Sequence, residues 1–242
     1  MRWDALAEHL GAYADGLGTT LRLLLAALAI GGLLALPLAV LRVSPRPLLR
    51  WPVAGFTWAI RGTPLLVQLF LLYHGLAQFD AVRASAAWPW LSSVWFCAIT
   101  AFALNTCAYT TELLAGAMRA VPAGEVDAAR ALGLTPAQVL WHVVLPSAAR
   151  RALPAYGNEV VTMLHATSLA SVVTLLDLTG AARELYARHF LPVEAFASAA
   201  LCYLALSGAL FAAFRVAERR WLAHLRPSGH ARPPAAEPPP RC

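Results

Sequence analysis

The chain alternates long apolar runs with short basic connections. Residues 23–41, 62–79, 84–111 and 195–214 carry no ionised side chain, and residues 152–176 carry only Glu159. A bilayer core needs about 20 helical residues. Lipid offers the backbone no hydrogen-bond partner, so each run must be helical. The spans are therefore placed at about 19–41, 62–79, 88–111, 152–176 and 195–215, within one all-α membrane domain over residues 1–226. An amphipathic approach, WPVAGFTWAI, leads into the second span. The tail at 227–242, PSGHARPPAAEPPPRC, is Pro-rich and reads as disordered.

Composition narrows the class. Of 242 residues 59% are apolar and only 13% charged, against roughly 25% charged in an average globular chain. This excludes a disordered protein and argues against a nucleic-acid partner. All 19 basic residues are Arg, and the net charge is +6. Thirteen Arg fall in the 42–50 and 112–151 connections and after residue 214, and five fall on the other side, with Arg61 at a boundary. The positive-inside bias then puts the N-terminus outside and the C-terminus in the cytoplasm. The first span reads as a true span and not a signal peptide, because Asp4, Glu8 and Asp15 precede it in place of net positive charge. Cys97, Cys107, Cys202 and Cys242 show no metal or redox spacing and read as small apolar filler.

The 112–151 connection is long for a loop. Pro122 can open a helix over EVDAARAL, and Gly133 can supply a left-handed stop. Thr135, Pro136 and Gln138 then form an N-cap, a first-turn proline and a capping box. Val139, Leu140, Val143 and Val144 give the second helix an apolar stripe, which Pro146 is expected to end. Asp127 and Arg130 can pair across three residues. By itself this helix–turn–helix could lie flat on the membrane surface.

The loop also resembles a known pattern. Asp127-Ala128-Ala129, Gly133, nine residues, Val143, then Leu145-Pro146 matches E-A-A-x-x-x-G, nine residues, I-x-L-P, with two conservative departures. That pattern belongs to the permease subunits of bacterial ABC importers. RGTPLLVQLF (61–70), LNTCAYTTELLAGAMRAVPAGE (104–125) and LPAYGNEVVTMLHATSLAS (153–171) are similar to the polar amino-acid branch of that family. They are most like its M-type subunits for histidine, arginine, lysine, ornithine or opines. The resemblance implies a type I importer permease fold of five transmembrane helices with a cytoplasmic coupling-helix loop over 120–146. Asp127, Ala128, Ala129, Arg130, Gly133, Leu145 and Pro146 would then couple to an ATPase. Implied partners are a dimer of ATP-binding subunits that holds ATP and magnesium, a second, different but homologous permease chain, an extracytoplasmic substrate-binding protein, and lipid. The implied location is the bacterial inner membrane. Glutamine or glutamate is the alternative cargo.

An ionisable residue within a span costs about 2.5–3.5 kcal/mol on insertion scales and needs a reason. Glu159 lies eight residues, about 12 Å, from Arg151. It could receive a cationic substrate group, or pair with Arg61 or a cation of a partner subunit. Asn158, Thr162 and His165 form a polar stripe that could line a pathway or hydrogen-bond between helices. Asn105, with Thr106 and Thr110, and Gln68 add weaker polar positions. Arg61, Gly62 and Pro64 break the second span and suit a hinge or a ligand contact. No Lys occurs, so a phosphate loop ending in G-K-[ST] is impossible here and ATP chemistry must lie elsewhere. Paired acids, H-E-x-x-H and G-x-S-x-G are absent, which argues against an intramembrane enzyme. Internal repeats expected of a self-powered transporter are also absent.

Overall fold

The computed structural model describes residues 9–221, and the Pro-rich tail lies outside the described residues. Among those residues there are only helices and their connections. Helix α1, Leu10–Arg42, is apolar on nearly all sides, as a membrane-embedded helix should be. Its buried face repeats small residues every fourth position: Ala27, Gly31, Ala35 and Ala39. That stripe lets α1 lie against α4, Val94–Arg119. The backbones are so close that a Cβ on Gly31 would sit 2.6 Å from the Ala103 carbonyl oxygen and 2.7 Å from Thr106 Cβ. Small residues at such crossings supply the packing that the hydrophobic effect cannot supply in lipid. Leu23, Leu24, Leu69, Phe102, Met163 and Leu164 complete the central core.

Helix α2, Pro47–Arg61, and α3, Leu65–Phe70, are the two arms of a sharply bent pair. Alpha-helical geometry lasts only to Phe70; a wide turn at Leu71–Gly75 and a tight one at Leu76–Gln78 continue the second arm. The arms meet at 98° across Gly62–Pro64. Pro64 is extended, with φ −62° and ψ 134°. Its ring fixes φ and removes a donor, so the first helix cannot run through it. The second span is thus a bent pair and not the single run 62–79. Residues 65–78 alone would cover about 21 Å, short of a bilayer core.

The other boundaries also move. The third span starts at Val94 instead of 88, because the Ser93 hydroxyl caps the helix by accepting from the Phe96 amide, and it runs on to Arg119. The knob helix α5 is Ala123–Ala131. Gly133 has φ +80°, and Thr135 and Gln138 cap each other as the sequence suggests. Pro146 does not end the second knob helix, however. A helical turn at Pro136–Val139 passes through a wide turn at Leu140–Val144 straight into α6, Leu145–Ala166. The wide turn makes i→i+5 bonds, the Leu145 amide reaching the Leu140 carbonyl, and so loosens the backbone just before the proline ring. Beyond α6 a tighter turn carries the helix to Val173. Helix α7, Leu178–His189, follows at 46°, and α8, Pro192–Trp221, closes the bundle. Helices α1, α4 and α8 are each long and apolar enough to cross a membrane; counting each bent pair as one crossing gives five.

Polar knots close the two ends of the bundle. At the end bearing the knob, Glu112 Oε1 accepts from Arg42 Nε at 2.6 Å and from Thr57 Oγ1 at 2.7 Å, so one oxygen holds α1, α2 and α4. At the other end Asp177 is fully buried. Its Oδ1 accepts the Gly180 amide at 2.9 Å, and its Oδ2 accepts the Tyr203 hydroxyl at 3.0 Å. Thr20 Oγ1 accepts the Leu178 amide at 3.2 Å, and Tyr13 donates to the Ala195 carbonyl at 2.7 Å. These bonds join α1 to α7 and α8.

Candidate functional site

The break between α2 and α3 does more than bend the chain. It opens a cavity of about 470 Å³ against α4 and α6. Arg61, Gly62, Thr63, Pro64 and Leu65 form one wall, Asn105 and Tyr109 of α4 a second, and Glu159, Thr162, Met163 and Ala166 of α6 a third. The Arg61 guanidinium lies over the Tyr109 ring, 5.0 Å from its centre, a cation–π arrangement that fixes the charge at one side. Glu159 stands in the same cavity, half-buried. The field of Arg61 reaches it, yet no ion pair or hydrogen bond to its carboxylate forms among the described residues. The cavity therefore presents one fixed cation and one uncommitted anion.

The predicted polar positions separate in space. Thr162 faces the cavity, its hydroxyl donating to the Asn158 carbonyl at 2.9 Å. Asn158 itself is exposed and outside the lining. Asn105 is nearly buried and lines the cavity. Gln68 lies outside it: its amide donates to the Ile60 carbonyl at 2.7 Å and to Thr63 Oγ1 at 2.8 Å, across the break. It thereby serves carbonyl groups that the end of α2 leaves unpaired. His165 points elsewhere, with Nε2 2.9 Å from Ser207 Oγ of α8. It lines a smaller cavity of about 330 Å³ with Ser168, Thr179, Phe196, Ala199 and Tyr203.

The knob is a second candidate site. Ala129 and Val139 are buried beneath it, and Leu145 packs against Ala39, Met118, Val121 and Ala148. Glu125 ties α5 to the root of α6, accepting from Ser147 Oγ at 3.0 Å and pairing with Arg151 at 3.4 Å. Asp127 and Arg130 pair at 3.6 Å on the outer face, where Ala128 and Gly133 are also exposed. Beside them project Leu132, 81% exposed, and Trp141, 60% exposed. Pro146 is half-buried at the edge of a groove with Arg150. The sequence reading does not single out Leu132 and Trp141, nor Tyr109 of the cavity, whereas Thr63 belongs to the recognised break and Met163 shares the helix face of Glu159. The hydrophobic pattern could have flagged Leu132, which follows the last turn of α5 with no partner position. No cluster of His, Cys, Asp or Glu fit to hold a metal occurs among the described residues.

Comparison with known proteins agrees with this architecture. The chain is 45% identical over 227 residues to the histidine/lysine/arginine/ornithine transport system permease protein HisM of Escherichia coli, covering 93% of this chain and 95% of that one. It is 43% identical over 202 residues to the octopine transport system permease protein OccM of Rhizobium meliloti, covering 84% and 82%. A crystal structure of an amino acid ABC transporter with histidines superposes with a TM-score of 0.81 at 30% identity, over 91% of this chain and 99% of that one. The fold as a whole thus recurs in a solved transporter of related sequence. With residues 27–223 matching the family model of the binding-protein-dependent transport system inner membrane component, the chain belongs to that family.

Proposed function

We propose that this chain imports a basic amino acid such as histidine, arginine, lysine, ornithine or an opine, and that Glu159 receives the cationic side chain. The observation that carries the reading is the uncommitted Glu159 carboxylate facing Arg61 across one cavity. An amino acid with a cationic side chain offers a carboxylate to the Arg61 guanidinium and a cation to Glu159. The relatives named for histidine, lysine, arginine, ornithine and octopine support this class. As a family member the chain is a transport subunit of the inner membrane and not an enzyme; ATP is hydrolysed by a separate subunit, and a binding protein delivers the substrate. Two copies of the ATP-binding subunit, carrying the ATP and magnesium, and a second, different permease chain complete the assembly in this proposal. The N-terminus lies outside and the knob and C-terminus inside, following the Arg distribution.

The mechanism follows from differential contact. A ligand shifts a two-state equilibrium only by as much as it favours one state. Asp127, Ala128, Arg130 and Gly133, with the projecting Leu132, meet the ATPase, and closure of its nucleotide sites favours one position of the knob. Helix α6 carries that position to Glu159. The test is Glu159→Gln, which keeps shape but removes charge. A hydrogen bond to a charged group is worth about 1.5–3 kcal/mol net, so uptake of a basic amino acid per intact complex should fall by roughly one to two powers of ten. Complex yield should stay normal. Normal uptake of a basic amino acid, or a collapse in yield instead, overturns the substrate role of Glu159.

A further inference from the structure

We propose that Arg150, Arg220 and Trp221 form a headgroup site for an anionic phospholipid. The three residues line a groove of about 520 Å³ between the start of α6 and the end of α8, together with Pro146 and Ala149. Neither arginine has an acidic partner among the described residues, whereas the neighbouring Arg151 is paired with Glu125. Two like charges in one groove repel each other, and an anion between them removes that cost. The groove lies at the knob end, where a helix leaves the apolar zone. Trp221 is 59% exposed there, the setting in which an indole seats at the level of lipid headgroups. Val216, one turn back on the face of Arg220, is 51% exposed, and Ala212 another turn back is exposed as well. Spaced four residues apart, they continue the helix face of Arg220 as an apolar strip for an acyl chain. A free phosphate would use the arginines but not the strip. Basic pockets at helix ends commonly bind anionic headgroups in this way.

The test uses the whole transporter in a nonionic detergent, titrated with phosphatidylglycerol, with retained lipid counted by native mass spectrometry. Each near-surface guanidinium contributes about fivefold in affinity. The R150Q/R220Q variant should therefore lose roughly thirtyfold in phosphatidylglycerol affinity at one site per copy of this chain. The R150K/R220K variant should keep most of it, and Arg46→Gln, outside the groove, should match the parent. Phosphatidylcholine should not compete. Detergent presents the lipid to both ends of the bundle, so the result does not depend on the orientation proposed above or on Glu159. Three outcomes overturn the proposal. They are unchanged phosphatidylglycerol binding in R150Q/R220Q, displacement of the lipid by millimolar inorganic phosphate (which makes the groove a small-anion site), and loss of the ATPase subunits from that variant in phosphatidylcholine (which makes the arginines a protein contact).

Discussion

Helix α2 buries only Val53 and Thr57, so its attachment to the bundle depends heavily on the single Glu112 oxygen that Thr57 and Arg42 share. Glu112→Gln leaves an acceptor of the same shape in the same place but removes the charge. Charge-assisted hydrogen bonds are about twice as strong as neutral ones, and each is worth about 1.5–3 kcal/mol. Halving two of them costs about 2 kcal/mol. The Arg42 and Glu112 side chains are 22% and 17% exposed, so water offsets part of the loss of the counter-charge and the larger penalty of a fully buried broken pair does not apply. For a unit of this size about 2 kcal/mol lowers a melting midpoint by roughly 4–8 °C. The assay is thermal unfolding of the assembled transporter in a mild detergent. Thr57→Val, which removes one of the two hydrogen bonds outright, should lower the midpoint by about as much. The Arg42→Met, Glu112→Gln double variant should lose less than the sum of the two single changes, because the charge-assisted part of their bond is already gone in Glu112→Gln. Additive effects of the two single changes would show that the residues do not act on one another. A drop under about 1 °C for Glu112→Gln would refute the idea that this oxygen holds α2 in place.

Gly31→Ala should destabilise the complex by about 1–3 kcal/mol, because the new methyl meets backbone at 2.6 Å and the crossing of α1 and α4 must open. Gly55→Ala and Gly116→Ala, with nothing within 4 Å, should leave the melting midpoint unchanged or raised. Gly133→Val puts a β-branched residue at φ +80° and should uncouple binding-protein-stimulated ATP hydrolysis from uptake while the complex still assembles. Gly133→Asn, which tolerates that conformation, should retain most of the coupling in the same assay. Reporter fusions at residue 10 and after residue 221 should report opposite sides of the membrane, with residue 10 external; both on one side would remove the five-span orientation.

Much of this architecture is legible in the sequence because its causes are local. Apolar runs, the Gly62–Pro64 break and the Thr135–Gln138 cap depend on residues within one turn of each other. What escaped depends on distant partners. Glu112 fell one residue beyond the apolar run that ends at 111, and only the folded chain shows Arg42 and Thr57 beside it. Asp177 similarly follows the run that ends at 176, although the Asp-Leu-Thr-Gly string, with its amide three residues on, was a readable N-cap. Pro146 misled because the local rule for proline ignores a wide turn one step earlier. For the candidate site, helical spacing puts Thr162 within one turn of both Glu159 and His165. Packing by α8 then covered the His165 side and left the Glu159 side open. Gln68 was visible as a polar residue in an apolar run, but its use as a cap across a 98° bend was not.

The unbroken helical path from Pro136 to Val173 means that the knob and the cavity wall are parts of one rod. Trp141 and Glu159 lie about 27 Å apart along it. A tilt of 5° about one end would sweep the other by about 2 Å, enough to make or break a hydrogen bond at the carboxylate. Under the proposed coupling, motion of the knob would reach Glu159 as leverage, and no relay of side chains has to be traced between the two ends. A search for point variants that cut such a relay should find none in the stretch of α6 between Pro154 and Glu159. The sensitive places are where the rod can flex: the wide turn at Leu140–Val144 and the prolines at 146 and 154. Stiffening that turn would transmit more of each stroke, and loosening it would let the two ends move independently.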